Sequence, residues 1–149
     1  MSRAPDLSLA IQGTADFAGL PVRATLRRWV LRALERDAEL TLRFVAEDEA
    51  RALNRGYRRK NYAPDVLTFD YAHAPVVQAD VVICVPVAAR EAAAQGKRLR
   101  AHLAHLVVHG VLHAQGYDHE SGRDAARMEA REVAILAGLR VADPYAGRD

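Results

Sequence analysis

The run His109-Gly110-Val111-Leu112-His113-Ala114-Gln115-Gly116-Tyr117-Asp118-His119 spells out a helix, its end and a chain reversal in eleven residues. His109 and His113 are four positions apart, so on a helix their imidazoles lie one turn apart on the same face. Gly116 takes positive φ without steric cost and so ends the helix. A chain that turns back there brings His119 toward the first two rings. Three neutral imidazoles converging from a helix and the turn after it suit one metal ion. Three protein ligands leave a fourth position open, the catalytic rather than the structural pattern for zinc.

An HxxxH pair alone is a weak signal, because two histidines at helical spacing arise often by chance. The pair, the glycine three residues after it and a third histidine three further on are far more specific together. Metzincin proteases use the same HxxxHxxGxxH spacing, with a glutamate after the first histidine as general base. Gly110 stands at that position here, so the proteolytic reading lacks its base. The bland alternative is a polar helix surface closed by a plain glycine cap. His102 and His105 extend the histidine stripe backward, but His105 is a full turn too far from His119; both are assigned as non-ligands that line the approach or hydrogen-bond nearby groups.

Working outward, Leu99 to Gln115 is a helix whose apolar residues Leu103, Leu106, Val107 and Val111 must face a core, which fixes where the histidines point. Ahead of it, Asp80 to Val85 is a near-continuous β-branched run, a strand buried on both faces and ended by Pro86, followed by a helix from Val87 to Gln95. Leu7 to Ile11, Leu40 to Val45 and Val66 to Phe69 are further strands. Helices are expected from Pro21 to about Arg36, from Glu47 to Tyr57, and from the Ser121-x-x-Asp124 cap to about Gly138. Residues from Ala142 onward are expected to fray. The arginines at 23, 27, 28, 32 and 36 make a basic face that either touches RNA or is simply solvated, the second being favoured. The order strand, helix, strand, helix, strand, strand and three helices is an α+β pattern: a small mixed four-stranded sheet covered by about five helices, with the metal site on the central helix and the following turn.

The 149 residues suit one domain over the whole chain, 1–149, with 50% hydrophobic and 27% charged residues. No apolar run approaches the ~20 residues that cross a bilayer, and no signal peptide is read before Asp16. The single cysteine, Cys84, sits in an apolar run and reads as a small buried hydrophobe, in keeping with a reducing cytoplasm. Net charge is only +2, so any nucleic-acid footprint must come from local clustering. Such a cluster exists: Arg51, Arg55, Arg58, Arg59 and Lys60, interleaved with Tyr57 and followed by Tyr62. Arginine grips phosphate oxygens in pairs and tyrosine stacks on an unpaired base. The same cations also suit the negative end of a helix dipole at a solvated helix end.

His109 to His119 resembles the HGxLHxxGYDH signature of the YbeY family, bacterial metal-dependent endoribonucleases of ribosomal RNA maturation. Leu53-Asn54-Arg55-Gly56-Tyr57-Arg58 and Asp65-Val66-Leu67-Thr68-Phe69 resemble that family's LNxxYR motif and the TDVLSF-like strand after it. Asp80-Val81-Val82-Ile83 is similar to its GDI-type strand. Asn61, Ala63-Pro64 and Asp70 depart from the usual residues. The resemblance implies one zinc ion per chain on His109, His113 and His119, with Arg58 the functional arginine facing it. It implies cytoplasmic single-strand cleavage in 3′ maturation of small-subunit 16S ribosomal RNA and in ribosome quality control, with no membrane or DNA partner. Arg55, Arg59 and Lys60 are candidate RNA contacts. Asp118 either orients His119 or caps the turn, and the general base is unassigned. The rival readings are a metallohydrolase of peptides or small molecules, and a ribosome-associated RNA-binding factor whose metal is structural.

Overall fold

The computed structural model describes residues 3–146. Four strands, β1 (Leu7–Gln12), β2 (Ala38–Val45), β3 (Val66–Ala72) and β4 (Val77–Cys84), are joined by helices α1 (Arg23–Ala33) and α2 (Glu47–Arg58). Helices α3 (Val85–Ala94), α4 (Leu99–Ala114) and α5 (Gly122–Gly138) follow. The strands lie in the order β1-β2-β4-β3. β1, β2 and β4 run parallel to one another, while β3 runs antiparallel to β4 on the far edge. This is the mixed four-stranded α+β sheet anticipated above.

Period-2 side-chain alternation explains how the sheet is covered. Val81 and Ile83 of β4 enter the main core beneath α1 and α4, whereas Val82 and Cys84 point the other way into a smaller cluster with Ala50 and Leu53 of α2. Cys84 is therefore buried in an apolar setting, and burial pushes its thiol above its ordinary pKa. Helix α4 is the most enclosed helix, packing against α1, α3, α5, β3 and β4. Its contact with the sheet is close at one point. A Cβ on Gly110 would lie 2.5 Å from Val81 Cγ1 and 3.4 Å from Thr68 Oγ1. The glycine that removes the proteolytic base is thus the residue on which the helix seats against the sheet.

Several boundaries differ from expectation for local reasons. Helix α1 stops at Ala33 because Leu34 turns extended (ψ 137°). Arg36 leaves the helix and donates to the His73 carbonyl at 2.8 Å. Pro86 does not end a strand but occupies the first turn of α3, where its missing N–H costs nothing. Of the basic face on α1, Arg23 donates to the Leu9 carbonyl at 2.7 Å and Arg27 to the Leu7 carbonyl at 3.3 Å. These guanidiniums satisfy the edge strand β1. The segment after Ala142 is held rather than frayed as far as Ala146: Lys97 Nζ donates to the Pro144 carbonyl at 3.1 Å, and Tyr145 packs edge-on to His105 with ring centroids 5.5 Å apart. Residues 147–149 lie outside the described residues.

Candidate metal centre

The end of α4 builds the site. Gln115 is the C-cap and Gly116 follows with φ 103°. Tyr117 N–H donates to the Leu112 carbonyl at 3.2 Å and Gly116 N–H to the His113 carbonyl at 3.0 Å. That pair of bonds is a Schellman motif, and its left-handed residue reverses the chain. Asp118 Oδ1 then accepts from the backbone N–H of His119 at 2.6 Å and of Glu120 at 3.1 Å. Asp118 therefore caps the turn. The outcome is a His119 ring 5.4 Å from that of His109 and 6.2 Å from that of His113, centroid to centroid. All three histidines line one cavity of about 710 Å³, and Tyr57, Arg58 and Tyr62 line it too.

The chemistry of the donors suits a cation. His109 Nδ1 donates to Glu132 Oε1 at 3.2 Å. An ionised carboxylate only accepts, so the Nδ1 side carries the hydrogen and Nε2 keeps its lone pair. Burial pushes His113 below the usual histidine pKa, with the nearby His109 and His119 adding to the effect against Asp70, so the ring is neutral and its Nδ1 is buried without a partner. Two other donor sets, His105 with His109 and Glu132, and Asp65 with Glu91 and His102, bring their ligand atoms within 4.8 Å of one another, which the three cavity histidines do not. The first of these is closed: Glu132 is 0% exposed and already accepts from His105 at 2.8 Å. Burial alone would raise its carboxyl, but hydrogen bonds from His105 and His109 outweigh that and hold it at about 2. In the second, His102 Nε2 is 2.9 Å from Glu91 Oε1. His102 and His105 are thus hydrogen-bonding residues; Asp65 and Glu91 line the cavity too, but the three imidazoles that open on it are those of His109, His113 and His119.

Arg58 reaches the cavity as the last residue of α2, where Arg59 takes the left-handed cap (φ 58°) and turns the chain. Arg55 is tied to Asn61 Oδ1 at 2.8 Å, and Arg59 and Lys60 are exposed; the structure places none of these three in the cavity wall. Asn54, fully buried, donates to the Tyr62 carbonyl at 3.0 Å and ties the loop back to α2. Sequence reasoning missed Asn54, Glu132 and Tyr145. The signal for Glu132 was present: it lies four residues after Met128 and four before Leu136, a carboxylate on the apolar stripe of α5.

What the sheet and its cleft define is an α+β protein that presents a histidine-rich candidate ion site beside a guanidinium. The family model for endoribonuclease YbeY matches residues 20–140, and the chain belongs to that family. The endoribonuclease YbeY of Thiobacillus denitrificans is 57% identical over 144 residues, covering 95% of this chain and 98% of its own. That of a Polaromonas species is 59% identical over 144 residues, covering 94% of each. The solution structure of TM1509 from Thermotoga maritima shares the fold, with a TM-score of 0.59 at 24% identity over 95% of this chain and 99% of that one.

Proposed function

We propose that this chain is a metal-dependent endoribonuclease that cleaves single-stranded RNA. The observation that carries the reading is the convergence of the His109, His113 and His119 rings on a cavity whose wall also includes Arg58. Nitrogen donors with an open position suit zinc. When bound, zinc supplies Lewis acidity toward a phosphodiester oxygen and toward water. The chain's own residues do the rest. His109, His113 and His119 hold the ion. Arg58 offers a planar fork to the non-bridging oxygens, where negative charge builds in the transition state. Tyr57 and Tyr62 are 53% and 49% exposed, enough free ring face to stack unpaired bases. Tyr57 is steadied by Phe69, at 4.4 Å between centroids. Arg55, Arg59 and Lys60 extend the positive track outside the cavity for the neighbouring phosphates.

Likeness to the endoribonuclease YbeY relatives supports RNA as substrate, and the family resemblance extends the proposal to small-subunit ribosomal RNA in the cytoplasm, 3′ maturation of 16S RNA and ribosome quality control. Gly110 counts against a peptidase, because the tight seat against Val81 excludes a carboxylate side chain there. Metal analysis joined to a single-stranded RNA cleavage assay tests the proposal. His113→Ala is expected to bind no zinc and cleave no RNA while remaining folded. A folded His113→Ala protein that cleaves at the wild-type rate would overturn the reading.

A further inference from the structure

Glu132 is the only fully buried carboxylate among the described residues, and its place on α5 is an apolar one, flanked one turn away by Met128 and Leu136. An ion is costly to bury unless every lone pair finds a donor. Here three side chains from two other parts of the chain supply them. His105 Nε2–H donates to Oε1 at 2.8 Å and His109 Nδ1–H to the same oxygen at 3.2 Å. The Tyr145 hydroxyl lies 3.0 Å from both carboxylate oxygens and 3.2 Å from His105 Nε2. Three donors are more than one histidine needs for orientation, and of the three only His109 lines the cavity.

We infer that Glu132 is a positioning residue for His109: by accepting from Nδ1–H it locks the ring in one tautomer, with the bare Nε2 turned toward His113 and His119. His105 and Tyr145 hold Glu132 in place, so the C-terminal segment that carries Tyr145 belongs to the build of the ion site. A carboxylate behind a metal-binding imidazole makes it a stronger and better aimed donor, and losing such a partner typically weakens metal binding by about 10–100-fold. This inference rests on the three-histidine reading above.

The test uses the full chain and zinc itself. Zinc affinity is measured by competition with a chromophoric chelator for wild type, Glu132→Gln, Tyr145→Phe and His113→Ala, and the His109 tautomer is read from long-range ¹H–¹⁵N spectra of the zinc-free protein. Glutamine keeps the shape of glutamate, but its amide can donate to His109 Nδ1 and so favour the opposite tautomer. Glu132→Gln is expected to lose about 10–100-fold in zinc affinity and to show an Nε2–H signal from His109. Tyr145→Phe should shift affinity the same way by less. A merely structural Glu132 would lower the melting temperature and leave both readouts alone; a folded Glu132→Gln with wild-type affinity and tautomer overturns the inference. If that variant does not fold, the wild-type spectrum decides: Nδ1–H on His109 supports the inference and Nε2–H overturns it. His113→Ala separates the two readings. Zinc lost there but kept in Glu132→Gln defeats this inference alone. Zinc kept in His113→Ala but lost in Glu132→Gln makes Glu132 a ligand, overturning the three-histidine reading and this one together.

Discussion

Arg58 sits where two local effects meet. It ends α2, whose last-turn carbonyls favour a cation, and it borders the cavity that the three imidazoles share. A side chain that served only the helix dipole would be replaceable by any cation. One that grips a phosphoryl group in two places would not be, because lysine is a point charge without the planar fork. Arg58→Ala is therefore expected to lower the RNA cleavage rate by about 10²–10³-fold, the range for losing a donor to developing charge, and to leave zinc content unchanged. Arg58→Lys should recover only a small part of that rate. Single-turnover cleavage with metal analysis of the same samples checks both, and an Arg58→Lys enzyme at wild-type rate would reduce Arg58 to a surface cation. At this scale the spacing of His109, His113, Gly116 and His119 was fully legible, because helix period and a glycine cap are local properties. Glu132 stood out only as a carboxylate on an apolar stripe; its role was not legible, since its partner His105 lies 27 residues away and only helix packing brings them together.

Helix α4 carries two opposed demands: an outward row of imidazoles and an inner face flush with β3 and β4. Gly110 reconciles them by letting the backbone approach Val81 and Thr68, whose hydroxyl lies 3.4 Å from the Gly110 carbonyl. Gly110→Ala would place a methyl group 2.5 Å from Val81 Cγ1, so the helix must lift or Val81 must move. Overpacking of that kind costs about 1–3 kcal/mol. Gly56, in the last turn of α2, meets nothing within 4 Å of its added Cβ, and alanine is favoured over glycine in a helix by up to about 0.5–1 kcal/mol. Urea denaturation should thus show opposite signs: Gly110→Ala destabilised, Gly56→Ala stabilised. Equal effects would remove the packing explanation for Gly110. Elements themselves were readable from period and caps: the Ser121 hydroxyl accepts from Asp124 N–H at 3.1 Å, as its spacing required. Lengths were less so. β3 and β4 extend past Phe69 and begin before Asp80 because they pair with each other across Asp70–Ala72 and Ala79–Gln78, a register that no single strand encodes.

At the scale of the molecule, the sheet has one heavily covered face and one lightly covered face, and the candidate ion site lies at the end of α4 rather than inside the core. Leu26, Leu42, Ile83, Leu103, Leu112, Met128 and Leu136 are fully buried, an apolar core that includes none of the three histidines. A zinc finger, by contrast, depends on its ion to fold at all. Removing zinc should then leave the secondary structure intact and subtract only the stabilisation that binding adds. That stabilisation is about 2.7 kcal/mol at a free ion concentration 100 times Kd. For a chain of this size each kcal/mol moves the melting temperature by roughly 2–4 °C, so a fall of about 5–10 °C is expected on chelation. The chelated protein should keep its far-ultraviolet circular dichroism, lose RNA cleavage, and regain both melting temperature and cleavage when zinc is returned. Unfolding at room temperature on chelation would instead make the ion a structural one and return the chain to a binding role. An intact fold with cleavage undiminished would detach the chemistry from the ion altogether.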